Sequence, residues 1–129
     1  MERVVGLSSK EAVLAFLEVL KRAVAEFGLF VVPRSENNNT LKQLGLTKRN
    51  QEDIIFSLTP ADYVKGPEED RDKPGEIWVF GKRVGKCLLY FKFKIMNATA
   101  LPRAKCISFH IAEEPMKFPH GEEEVALDE

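Results

Sequence analysis

An α+β fold, with N-terminal helices packed on one face of an antiparallel sheet, is predicted for this chain by the order of its hydrophobic periods. Apolar residues spaced three and four apart come first, apolar residues at every second position occupy Ile77 to Ala112, and glycine and proline clusters stand between segments. Helices laid on one face leave the other open to solvent.

The elements follow in order. Ser8 and Glu11 form a capping box ahead of Val13, Phe16, Leu17, Leu20, Val24 and Phe27, an amphipathic helix that Gly28 stops. Such a stripe is a core face before it is a partner-binding face. Leu29 to Val32 is a short strand closed by Pro33, and Arg34 to Asn39 is polar turn material. A short helix runs from Thr40 to Leu44 and breaks at Gly45. Thr47 caps another helix, Lys48 to Leu58, with Ile54, Ile55 and Leu58 inward. Thr59 caps a further turn, with Pro60 at its first position and Asp62 three residues after the cap, ending at Lys65. Gly66 to Gly75 is a mobile acidic loop whose carboxylates lack the spacing of a calcium site. Ile77 to Phe80 is a strand, Gly81 to Gly85 a turn, and two longer strands follow.

In the first of these, Cys87, Leu89, Phe91, Phe93 and Ile95 share the core face, with Leu88, Tyr90, Lys92 and Lys94 opposite. In the second, Ile107, Phe109 and Ile111 face the core and Cys106, Ser108 and His110 face away. Cys87 and Cys106 thus fall on opposite faces, which argues against a disulfide and fits a reducing compartment.

The 129 residues suffice for a single domain, 1–120, with an acidic tail, 121–129. Neither a signal peptide nor a membrane span is read, so no membrane partner is expected and the cytoplasm is the default. The net charge is -1, yet Ile77 to Ala112 contains no Asp or Glu and holds Lys82, Arg83, Lys86, Lys92, Lys94, Arg103 and Lys105. That is an anion-binding surface. The acidic tail is able to fold over it and compete with an anionic ligand.

Neither a phosphate loop, a nucleophile elbow nor a C-x-x-C occurs, and His110 and His120 make a weak metal set, so no metal or cofactor is expected. RNA phosphodiester cleavage fits the face that remains. The 2′-hydroxyl is the nucleophile, and the enzyme supplies a base, an acid and cations. An imidazole is the side chain suited to proton transfer near neutrality, which makes His110 the acid–base candidate; Tyr90 donates a hydrogen bond or stacks on a base, and Lys92 and Lys94 offset charge on the phosphate. RNA binding without cleavage, aided by Tyr90 and Trp78, is the alternative. A solvated sheet face with no ligand is the bland one.

Leu44-Gly45-Leu46, Ile54-Ile55, Leu58-Thr59-Pro60-Ala61-Asp62-Tyr63-Val64-Lys65, Ile77-Trp78, Leu89-Tyr90-Phe91-Lys92 and Ile107-Ser108-Phe109 resemble, in that order, the MqsR family of bacterial type II toxins. The likeness runs from Leu44 to Ile111. It implies a RelE-like toxin fold and a metal-independent endoribonuclease, an mRNA interferase active on free mRNA at short GC-containing sites. It also implies a cognate antitoxin with a zinc-binding module and a helix-turn-helix DNA-binding domain. Lys65 and Tyr90 match the family's functional lysine and tyrosine, and Lys82 and Arg83 lie where the family has arginines. Val79 replaces a glutamine and His110 a lysine, which exchanges a cation for a proton shuttle. The combined expectation is catalysis by His110, Tyr90 and Lys65 with RNA held by Lys82, Arg83, Lys92 and Lys94. A non-catalytic RNA- or protein-binding module derived from such a toxin is the alternative.

Overall fold

The computed structural model describes residues 7–97 and 100–121. The chain runs α1 (Lys10–Phe27), β1 (Leu29–Val31), α2 (Ser35–Leu44), α3 (Lys48–Phe56), a 3-10 turn (Pro60–Asp62), β2 (Tyr63–Glu69), β3 (Glu76–Val84), β4 (Cys87–Met96) and β5 (Arg103–Ile111). Among these residues the strands form one sheet in the order β1-β5-β4-β3-β2. The α+β class holds. The sheet, however, is mixed: β2 to β5 are antiparallel neighbours, whereas β1 lies parallel to β5, a pairing that the long connection through the intervening elements permits.

Helix α1 buries Val13, Phe16, Leu17, Leu20, Ala23 and Val24 against Phe80, Phe91, Phe93 and Phe109 of the sheet, and Ile55 and Leu58 join the same cluster. Each large side chain removed from water there contributes roughly 1.5–3 kcal/mol. The Phe16 ring stacks on Trp78 with centroids 4.4 Å apart. The outer edge of β1 is closed by α3, where Glu52 accepts from the Leu29 N–H at 3.0 Å and Lys48 donates to the Leu29 carbonyl.

The cap of α1 is Ser9, not Ser8: the Ser9 hydroxyl accepts from the Ala12 N–H at 3.1 Å. Ser8 is drawn to β2 instead, its N–H donating to the Tyr63 hydroxyl and its own hydroxyl to the Gly66 carbonyl, each at 2.8 Å. Arg34 to Asn39 is not turn material, because α2 begins at Ser35. Its poor helix formers are held by tertiary bonds from buried Asn37. Helix α3 stops at Phe56, two residues short of the expected Leu58.

Lys65 does not end a turn, and the acidic loop does not begin at Gly66. The 3-10 turn closes at Asp62, and β2 carries the chain on to Glu69, leaving 70–75 as the loop. Gly66 makes this pairing possible: its φ is 124°, and a Cβ there would sit 2.8 Å from the Ile77 carbonyl oxygen. Gly81 to Val84 are likewise strand, and the turn is confined to Gly85 and Lys86.

Strand β5 contains a bulge. Lys92 pairs with Ser108 while its neighbour Phe93 pairs with Cys106, so Ile107 is the extra residue. The two-residue alternation therefore changes phase, and Cys106 joins the core with Phe109 instead of facing away with Ser108. Cys87 borders that same cluster, and both thiols are free. Of the acidic tail only Gly121 lies within the described residues.

Candidate active-site cleft

Beyond Ile111 the chain folds back across the open face of the sheet. Buried Met116 packs with Leu88 and Ala112, and Val64, Tyr90 and Phe118 gather round them. Gly81 makes room: a Cβ there would lie 2.4 Å from the Met116 methyl carbon. The segment goes on to the β2 edge, where His120 stacks on Tyr63 at 5.5 Å and its Nε2 lies 2.8 Å from the Ser8 carbonyl oxygen.

This strap walls a cleft of about 570 Å³ on the sheet. Its floor is Val79, Tyr90, Lys92, Ser108 and His110, with Lys65 at the β2 side, Arg34 and Glu36 at the start of α2, and Glu113, Glu114 and Lys117 on the strap. Pairing across the strands assembles the floor, because Tyr90 lies opposite His110 and Lys92 opposite Ser108. The Tyr90 and His110 rings stack with centroids 5.3 Å apart and an interplanar angle of 25°.

His110 Nδ1 lies 3.0 Å from the Ile111 carbonyl oxygen. A carbonyl only accepts, so Nδ1 carries the proton and Nε2 of the neutral ring keeps a lone pair. The ring is thereby set as a base. Burial pushes the Tyr90 phenol above its ordinary pKa, and the charge of Glu68 adds to the shift. Tyr90 is then a hydrogen-bond donor at neutral pH, not an anion.

Lys65, Tyr90, Lys92 and His110 thus line one cleft. Lys82, Arg83 and Lys94 do not. Lys82 points to the helix side, 3.7 Å from Asp62, since β3 continues through Gly81 and its alternation turns that lysine away from the cleft. Arg83, exposed at the far end of β3, donates to the Lys86 carbonyl at 3.4 Å. Lys94 is only 1% exposed, and its Nζ lies 2.7 Å from Asp70 Oδ2 beneath the 70–75 loop. Arg103, from the same basic block, sits 4.0 Å over the Phe27 ring. The seven cations of the basic segment do not form one surface.

Nor is the site free of carboxylates. Glu36, Glu113 and Glu114 line it, and Glu68 pairs with Lys65 at 3.3 Å. These acids come from segments outside Ile77 to Ala112, so a charge census of that segment misses them. Arg34 and Lys117 were missed in the same way; Arg34 stands at the N-cap of α2, and no sequence signal points to Lys117. Among the described residues, no group of three or more His, Cys, Asp or Glu side chains is placed to hold a metal ion, and no helix is long and apolar enough to cross a membrane. Comparison with protein-family models, curated proteins and solved structures gives no match.

Proposed function

We propose that this protein is a metal-independent endoribonuclease that cleaves mRNA in the cleft on the sheet, the toxin of a type II toxin–antitoxin pair with a RelE-like fold. The observation that carries the catalytic part is His110, tied through Nδ1 to the Ile111 carbonyl and stacked on Tyr90, in a cleft that also holds Lys65 and Lys92. The toxin role, the RelE-like fold, the cytoplasmic setting and a zinc- and DNA-binding antitoxin rest on the resemblance between Leu44 and Ile111.

In this reading Lys92 and Tyr90 bind the phosphate oxygens, and His110 Nε2 takes the proton of the 2′-hydroxyl. The 2′-oxygen bonds to phosphorus, the bond to the 5′-oxygen breaks, and the Lys65 ammonium protonates the departing oxygen. The products are a 2′,3′-cyclic phosphate and a 5′-hydroxyl. Proton exchange with water restores both side chains.

Purified protein with a long RNA in EDTA is expected to yield fragments ending in cyclic phosphate, and His110→Ala is expected to slow their formation severely. RNA left intact by the wild-type protein would falsify the proposal. The carboxylates beside the cleft favour a second reading, an RNA- or protein-binding module without cleavage. It is supported if His110→Ala leaves growth inhibition in cells unchanged while loss of Lys65 and Lys92 removes it.

A further inference from the structure

Strand β1 covers β5 only as far as Cys106: the register pairs Leu29 with Ala104, Phe30 with Lys105 and Val31 with Cys106, and the Val32 N–H donates to the Cys106 carbonyl at 2.9 Å. From Ile107 onward that edge of β5 has no strand beside it among the described residues. Here α2 delivers Asn37, 1% exposed. Its Nδ2 donates to the Val32 carbonyl at 2.8 Å and to the Ile107 carbonyl at 3.1 Å, and its Oδ1 accepts from the Phe109 N–H at 3.0 Å. One side-chain amide therefore bonds the backbone on both sides of Ser108 and ties the end of β1 to it. The Cys106 thiol closes the bulge from within, donating to the Ser108 carbonyl at 3.1 Å, and burial keeps that thiol protonated by pushing its pKa up.

The bulge decides which side chains reach the cleft. Ala104 and Cys106 before it and Phe109 after it all face the core, so the phase changes between them, and only in the changed phase do Ser108 and His110 stand opposite Lys92 and Tyr90. A β5 without the bulge would keep the phase of Ala104 and Cys106. Ser108 and His110 would then turn toward the helices and Phe109 into the cleft.

We infer that Asn37 is a positioning residue of the cleft: by bonding the backbone on both sides of Ser108 it locks the Ile107 bulge and so fixes His110 against Tyr90. The inference deepens the ribonuclease reading and rests on it for its kinetic readout alone. Its structural readouts stand without it.

The experiment compares Asn37→Ala and Asn37→Asp with Thr40→Ala by NMR and RNA cleavage. Thr40 is buried on the same helix but donates to Glu36 within it. Asp keeps an acceptor for Phe109 and loses both donors. In Asn37→Ala the Phe109 amide is expected to exchange at least about tenfold faster, as the loss of one buried hydrogen bond implies, and in both Asn37 variants the His110 ring signals are expected to shift. Cleavage is expected to fall with kcat, leaving KM near its wild-type value. Thr40→Ala is expected to lower the melting temperature and move none of these. Unchanged His110 signals and Phe109 exchange in the Asn37 variants overturn the inference. Should those variants fail to fold, the wild-type protein decides: slow exchange at Phe109 and at the Asn37 side-chain amide supports it, and free-edge exchange at Phe109 overturns it. If wild-type protein leaves RNA intact, the ribonuclease reading fails while the NMR comparison still decides the role of Asn37.

Discussion

Lys92 and Lys94 stand two residues apart on one face of β4, and their immediate sequence hardly distinguishes them. Lys92 opens into the cleft opposite Ser108, whereas Lys94 is sealed under the 70–75 loop with its ammonium against Asp70. Gly75 completes the seal, since a Cβ there would lie 2.4 Å from Lys94 Cε. The acidic loop is therefore a cover that neutralises one end of the basic face. The other end is walled by the strap and stays accessible. Period-two spacing assigns a side chain to a face, but what crosses that face decides whether the charge is available.

The largest effect expected along this contrast is at the cleft end. His110→Ala should lower RNA cleavage by roughly 10²–10⁴-fold, the range for removal of a proton-transfer group, with a melting temperature near that of the wild type. Lys92→Met should lower cleavage by about 10²-fold, as for loss of one transition-state contact, again without loss of stability. Lys94→Met should leave initial rates unchanged, because Lys94 lies outside the cleft, and should lower stability by leaving Asp70 without its partner. Equal losses of cleavage in the two methionine variants would erase the contrast between the ends.

Stability against pH sharpens it from the covered end. The hydrogen bond from Lys94, helped by the Asp72 N–H, lowers the Asp70 pKa from 3.8 to about 2. A depressed carboxylate pKa contributes stability at pH values above 3.8 and loses it as the pH falls toward 2. Urea denaturation of the wild type between pH 6 and pH 2, in this acid range, should show that loss. Asp70→Asn should be less stable at neutral pH, where it leaves the Lys94 ammonium buried without a counter-charge, and should lose less of its remaining stability on acidification. A parallel pair of curves would break the assignment. The smallest effect belongs to Glu68→Gln, which releases Lys65 from an exposed ion pair. Initial rates should rise by about two- to threefold at low salt and converge with the wild type at high salt.

Much of the helical layer was legible because its signals are local. The α1 stripe, Gly28 and Gly45 as stops, and Thr47 and Thr59 as caps all act within one or two turns. The Tyr90 and Lys92 side of the cleft was legible for the same reason, since alternation within β4 is unbroken. Cys106 was misread because a bulge inserts one residue and inverts everything before or after it. Ser35 to Asn39 was misread because an asparagine that reads as a turn former is, at Asn37, a buried bond to another strand. Lys82 was misplaced because Gly81, taken for a turn, is a strand glycine that seats Met116.

Sequence by itself determined the α+β class, the buried stripe of α1 and the two faces of β4, because hydrophobic period and capping are short-range properties of the chain. Only the tertiary structure decided which cations remain accessible, that Glu36, Glu68, Glu113 and Glu114 stand beside them, and that His110 rests on Tyr90. Those facts depend on contacts between segments far apart in the chain, where a loop, a strap and one bulged residue redirect charge without leaving a local signature.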